Sequence, residues 1–212
     1  VSNFESLAQM VIAGQEEEIK AAVKNLLDAG VDPLDIINNG LVAGMNVVGV
    51  KFKSGEMFVP EVLKSAKAMA AGMELVKPLL TDKKVESKGK VLLGTVKGDL
   101  HDIGKNLVAM MLESAGLEVI DLGIDVDPED FINAVYEYEP QIVGMSALLT
   151  TTMPRMKETI EMFEEEGIRD KVKIIVGGAP VTKDFAEKIG ADGTAPDAAS
   201  ATELCLKLLG KA

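Results

Sequence analysis

The chain has 212 residues, with 34 acidic against 22 basic, for a formal charge of −12. No Lys/Arg cluster interrupts that balance, which excludes the concentrated positive face that nucleic-acid binding requires. Apolar residues make up 47% but aromatics only 4%, with no Trp, so a globular core must be filled by aliphatics and eleven Met.

Residues 1–80 read as helix throughout. Ser2 or Asn3 can cap the first helix, and GQEEEIKAAVKNLLDAG forms a second, closed by Gly30 just past its end. Asp32 and Pro33 open a third, since proline fits the first helical position. Its continuation, LVAGMNVVGVKF, is apolar nearly all round and predicts a buried helix. Pro60 opens the last, in which Val62, Leu63, Ala66, Met69 and Met73 recur at helical spacing. Short connections between helices favour a small antiparallel four-helix bundle. The polar, aperiodic TDKKVESKGK, residues 81–90, is the expected linker.

Beyond it, over 91–212, the pattern changes. VLLGTV, EVIDLG, QIVGMSA, VKIIVGG and DGTA read as strands, and amphipathic helices follow each in turn. Buried apolar strands alternating with amphipathic helices predict an α/β fold with a doubly wound, five-stranded parallel sheet, and units of this length suit a flavodoxin-like order. The single Cys205 lies in the last helical pattern, LCLKLL. It can form no internal disulfide, which fits a reducing compartment and a buried structural thiol. No apolar run approaches membrane-spanning length, and VSNFESLAQM lacks the basic start and apolar stretch of a signal peptide. A cytoplasmic protein with neither membrane nor nucleic-acid partners is expected.

In such a sheet, ligands sit outside the carboxyl ends of the strands. The first strand is followed by GDLHDIG, with Asp99, Gly104 and His101, the only histidine in the chain. The third is followed by SALLTTT, with Ser146, Thr150, Thr151 and Thr152. The fourth leads into GGAPVT, with Gly177 and Gly178, and the fifth into APDAAS, with Ala198. Small residues and hydroxyls suit a ligand that approaches backbone closely and takes scattered hydrogen bonds. GDLHDIGK has five residues between its glycines and Asn106 after the lysine, so it is not a P-loop, and no GxGxxG follows the first strand. One His and one distant Cys cannot close a zinc site. A single histidine can still ligate a metal that brings its other ligands in a macrocycle, with Asp99 orienting the ring through its far nitrogen. Loop position alone leaves that reading open beside a surface histidine with no task.

Taken together, Asp99-x-His101-x-x-Gly104, Ser146-x-Leu148 and Gly177-Gly178 resemble the cobalamin-binding signature of methionine synthase and of the small corrinoid proteins of methyltransferase systems. The segment GMNVVGVKFKSGEMFVPEVLKSAKAM, residues 44–69, is similar to that family's helical cap. The resemblance implies a Rossmann-like cobalamin-binding domain behind the cap, with cobalamin or another corrinoid as cofactor. His101 is implied as the lower axial ligand of cobalt, Asp99 as its hydrogen-bond partner, and Thr152 as the hydroxyl ending that chain. The cofactor's displaced tail is implied near Gly104, Ser146, Leu148, Gly177, Gly178, Ala179 and Ala198. Gly98, Asp102 and Ile103 flank the ligand, and Thr150 bonds the corrin or its tail. Phe52, Met57 and Val59 are implied over the upper face, where bundle packing is the competing explanation.

The function so implied is a methyl carrier, not an enzyme on its own. It would accept a methyl group on Co(I) cobalamin through a substrate-specific methyltransferase and present methyl-Co(III) to a second methyltransferase acting on tetrahydrofolate or coenzyme M. A reductive activator would restore cofactor lost to oxidation. A cobalamin-based sensor shares the cap and the histidine loop, a mutase subunit shares the corrinoid domain, and a flavin or nucleotide enzyme could share the fold. Absorption of a bound cofactor separates these.

Overall fold

The computed structural model describes residues 3–80 and 87–211. The chain divides into two compact units, residues 1–86 and 87–212.

The first unit is helical. α1 (Asn3–Ala13) and α2 (Glu16–Asp28) are followed by α3 (Pro33–Asp35), which runs through a wide π-helical stretch, Ile36–Val42, into α4 (Ala43–Lys53). α5 (Val59–Val76) follows and ends in a 3-10 turn, Lys77–Leu80. Asp32 starts the third helical segment because its side chain accepts the N–H of Leu34, and Pro33 costs nothing where that N–H would be orphaned. At the start of α5, Glu61 reaches back to the N–H of Phe58 at 2.8 Å and satisfies another orphan donor. Leu7, Val11, Ile19, Val23, Ile36, Leu41, Val48 and Val62 are fully buried and form the core of this unit. The helices approach closely: a Cβ on Gly44 would stand 2.7 Å from the carbonyl oxygen of Ala8 in α1.

The expectation of a uniformly buried helix over 41–52 needs correction. Met45 and Val48 are buried, but Val47 is 40% and Val50 68% exposed. α4 therefore buries one stripe and leaves an apolar face open. Of the expected linker 81–90, residues 81–86 lie outside the described residues. Residues 87–90 belong to the second unit: Lys88 N–H donates to Gly116 O, and Lys90 is the first residue of β1, paired with Glu118.

The second unit alternates strand and helix: β1 (Lys90–Thr95), α6 (Ile103–Ser114), β2 (Glu118–Asp121), α7 (Pro128–Tyr138), β3 (Ile142–Ser146), α8 (Pro154–Glu165), β4 (Lys173–Gly177), α9 (Lys183–Lys188), β5 (Gly193–Thr194) and α10 (Ala198–Leu208). All pairings are parallel, in the order β2-β1-β3-β4-β5. This is the flavodoxin-like order, α/β as the alternation predicts. Both faces of the sheet are covered, so strand side chains alternate between two cores rather than between core and water. Leu92, Val143 and Ile174 pack with Phe131, Met156, Ile160 and Phe163 on one side. Val91, Leu93, Ile142 and Ile175 pack with Leu112, Leu117 and Cys205 on the other. Burying a side chain such as Phe131, with no exposed surface, is worth about 1.5–3 kcal/mol.

The order changes direction between β1 and β3, so their carboxyl ends flank a crevice. Register sets Thr95 of β1 beside Ser146 of β3, and Ser146 beside Gly177 of β4. Three of the loops singled out by sequence thus leave the sheet side by side.

Candidate functional site

β1 ends at Thr95, whose buried hydroxyl donates to the backbone carbonyl of His101 at 2.9 Å. The chain between them makes a tight excursion through Gly98, at φ 81°, before Asp102 and Ile103 start α6. At the centre of that excursion Asp99 is fully buried.

Five donors meet its carboxylate. Oδ1 accepts the backbone N–H of His101 at 3.1 Å and lies 2.7 Å from His101 Nδ1. Oδ2 accepts the N–H of Leu148 at 2.8 Å, the N–H of Leu149 at 3.3 Å and the hydroxyl of Thr152 at 2.7 Å. Burial alone would push this carboxyl upward. The hydrogen bonds from Thr152, the His101 ring and the Leu148 and His101 amides more than reverse it, holding the group well below the usual carboxylate range. Asp99 is therefore an anion at neutral pH and can only accept. The proton of the shared bond must sit on His101 Nδ1, which leaves the lone pair of a neutral ring on Nε2. That nitrogen has no hydrogen-bond partner among the described residues, and the His101 side chain is half exposed.

Around it the surface is unusual for a loop edge. Leu100 and Ile103 are 67% and 68% exposed, and Leu148 and Leu149 are both exposed. Gly104 and Gly177 have no atom within 4 Å of the place a Cβ would take. Gly178, at φ 126°, lies so close to the third loop that a Cβ would come within 1.8 Å of Ala147 O. Ser146 is half-buried at its strand end, and Thr150 and Ala179 are exposed. Ala198 is buried in the first turn of α10 and presents no open side chain. Phe52, Met57 and Val59 belong to the helical unit; Met57 is buried, Phe52 and Val59 half-buried.

Three contributors escaped the sequence reading. Thr95 anchors the histidine backbone. Asp125, 24 residues downstream of His101, bonds the histidine loop from β2's side. Lys105, 5% exposed in the first turn of α6, puts its ammonium 2.5 Å from Asp121 Oδ2 and 2.8 Å from Asn106 Oδ1. The signal for Lys105 was available, since a lone lysine breaks the apolar start of that helix. Among the described residues no three His, Cys, Asp or Glu gather into a metal-binding group. The site offers one oriented nitrogen, an apolar rim and glycine-lined space. These features fit a large, flat, mostly apolar group carrying a metal with one axial position to fill.

Fold and site define an α/β domain with a ligand-binding crevice at its strand ends, preceded by a helical unit. Comparison with known proteins agrees: the B12 binding domain family matches residues 89–203, and a second B12 binding domain family matches residues 4–77. A corrinoid protein of Desulfitobacterium hafniense is 45% identical over 100% of this chain and 99% of its own. The trimethylamine corrinoid protein 1 of Methanosarcina acetivorans is 48% identical over 87% of each chain. Among solved structures, one chain of the methanol:cobalamin methyltransferase complex of Methanosarcina barkeri superposes with a TM-score of 0.86 at 34% identity, over 97% of this chain and 79% of that chain. The chain belongs to the B12-binding corrinoid proteins of methyltransferase systems. No helix among the described residues is long and apolar enough to cross a membrane.

Proposed function

We propose that this chain is a methyl carrier that works between two methyltransferases and performs no turnover alone. The observation that carries the reading is the pair Asp99–His101, in which a buried anion holds Nδ1–H at 2.7 Å and leaves Nε2 free. A bound cobalamin would supply a cobalt able to take up and release a methyl group.

The chain's own residues then have defined tasks. His101 would hold the cobalt through Nε2. Asp99 fixes tautomer and ring orientation. Thr152 and the amides of Leu148 and Leu149 keep Asp99 ionised and stationary. Gly98, Asp102 and Ile103 border the ligand. Gly104, Ser146, Leu148, Thr150, Gly177, Gly178, Ala179 and the backbone at Ala198 receive the corrin edge and its tail. Phe52, Met57 and Val59 of the helical unit would have the task of keeping water from the bound group. The methyl donor is a small methylated compound handled by a substrate-specific methyltransferase, and a second methyltransferase passes the group to tetrahydrofolate or coenzyme M. A reductive activator rescues oxidised cofactor.

The test is reconstitution of the full chain with hydroxocobalamin, desalting, and electron paramagnetic resonance after reduction to Co(II). About one corrin per chain is expected, with axial nitrogen coupling in the parent and none in His101→Ala, which still binds. A colourless parent, or identical coupling in the variant, overturns the reading. For the shielding role, Phe52→Ala should retain affinity and lose its methyl group faster under light.

A further inference from the structure

The loop carrying His101 is braced by a segment the functional reading does not use. Past β2, Gly123 O accepts the N–H of Thr95 at 2.9 Å, and Val126 N–H donates to Thr95 O at 3.0 Å. Between these contacts Asp125 stands at φ 55°, a left-handed conformation that side chains disfavour and Asp and Asn tolerate best. In that conformation it grips the histidine loop twice. Its backbone N–H donates to the carbonyl of Asp99 at 3.1 Å, and its Oδ1 accepts the N–H of Gly98 at 2.8 Å. Lys97 steadies the turn, with its ammonium 2.9 Å from Asp127 Oδ2 and 3.6 Å from Asp125 Oδ1.

We propose that Asp125 is a positioning residue for the Asp99–His101 pair, setting through the loop backbone the direction in which Nε2 is presented to a metal. The inference rests on the reading of His101 as axial ligand. Three of the five donors, on Leu148, Leu149 and Thr152, tie the Asp99 carboxylate to the third loop, and the other two come from His101 itself. Within the loop Asp99 N–H donates to Val96 O at 3.1 Å, but the Gly98 N–H and the Asp99 carbonyl are held by Asp125, and Gly98 at φ 81° has the conformational freedom to move. A ligand set within about 0.5 Å of its working geometry needs that backbone locked as well. Asp125 holds it from β2's side, through its Oδ1 and its own backbone N–H.

Two substitutions separate side chain from backbone. Asp125→Gly keeps the positive φ and the N–H donor but deletes the acceptor. Asp125→Asn keeps the left-handed preference and an oxygen acceptor but removes the charge. Each full chain is loaded with cobalamin and reduced to Co(II), and the fraction with axial nitrogen coupling is read by electron paramagnetic resonance. Parent and Asp125→Asn should match. Asp125→Gly should retain cofactor yet lower the ratio of histidine-ligated to unligated cobalt by about threefold to tenfold, the equilibrium effect of one hydrogen bond. In the cofactor-free chain, amide exchange at Gly98 should accelerate in Asp125→Gly alone. If His101→Ala loses the coupling while Asp125→Gly keeps the parent ratio, the proposal is overturned and the ligand reading stands. If His101→Ala keeps the coupling, the ligand reading fails first. Equal loss in both Asp125 variants overturns the acceptor role. Should Asp125→Gly fail to hold cofactor, unchanged Gly98 protection in the cofactor-free chain overturns it too.

Discussion

Thr152 Oγ1 lies 2.7 Å from Asp99 Oδ2, joining two residues 53 positions apart inside the protein. The hydroxyl has one proton, and Leu149 O at 2.9 Å competes for it. The buried carboxylate is the better acceptor because it carries the charge. Replacing Thr152 by Val keeps the shape and removes the donor. The cost should be about 1.5–3 kcal/mol, the range for a hydrogen bond to a charged group, while Thr152→Ser should recover most of it. Urea unfolding at neutral pH measures both. No loss in Thr152→Val would mean the proton is spent on Leu149.

The same bond predicts a pH signature. The folded-state pKa of Asp99 lies below its ordinary value of 3.8. Its stabilisation is thus fully present above that value and is lost as pH falls from there toward the folded one. Asp192 contributes in the same window. Burial raises it, but the Ile174 amide, Arg169 and Lys173 bring its pKa below the ordinary value. The useful quantity is therefore a difference. As pH falls below about 3.8, stability of Thr152→Val should fall less steeply than that of the parent, since its Asp99 has a pKa closer to the unfolded one. Parallel curves would show that Thr152 does not hold Asp99 ionised.

Residues that bond within a short span were the readable part of this site. Asp99 and His101 are two apart, so their pairing follows from a loop at the end of an apolar strand. The doubly wound parallel sheet was readable too, because runs such as VLLGTV and QIVGMS are apolar on both faces and call for helices on both sides, whereas the strand order was only suggested by the length of the units. Asp125 was unreadable because its role depends on a positive φ that nothing in LGIDVDP demands. Lys105 showed as a lone lysine at the apolar start of α6, but its pairing was unreadable because Asp121 closes β2 after a helix and a turn. The open face of α4 misled for another reason. Val47 and Val50 keep the stretch apolar, and hydropathy alone cannot tell a fully buried helix from one with an exposed apolar stripe.

Adjacent glycines should behave oppositely. A Cβ on Gly178 would stand 1.8 Å from a backbone carbonyl, at a φ of 126° that L side chains resist, so Gly178→Ala must move one of the two loops. A loss of at least about 2 kcal/mol is expected, from strain and displaced backbone. Gly177 has no atom within 4 Å of its would-be Cβ, so Gly177→Ala should change stability by no more than about 0.5 kcal/mol. If the cofactor's tail occupies that space, Gly177→Ala weakens cobalamin binding in a protein as stable as the parent. Binding titrations beside urea curves separate the effects, and unchanged affinity in Gly177→Ala would remove Gly177 from the site.

Cys205 provides an internal clock for opening of the second unit. It is fully buried in α10 against Val91, Leu93 and Leu112, and burial pushes its thiol up to about 12. The thiolate is the reactive form, so near pH 8 the folded protein presents almost none and gives a reagent no access. Labelling by iodoacetamide should wait for unfolding of the sheet and α10. Its rate should then follow the population of the open state, rising with urea at the slope of the equilibrium transition. Under the proposed function cobalamin binds the folded loops, so adding it should slow labelling in proportion to its saturation. Fast labelling in the native protein, insensitive to urea, would mean that α10 opens by itself and that Cys205 is not part of the common core.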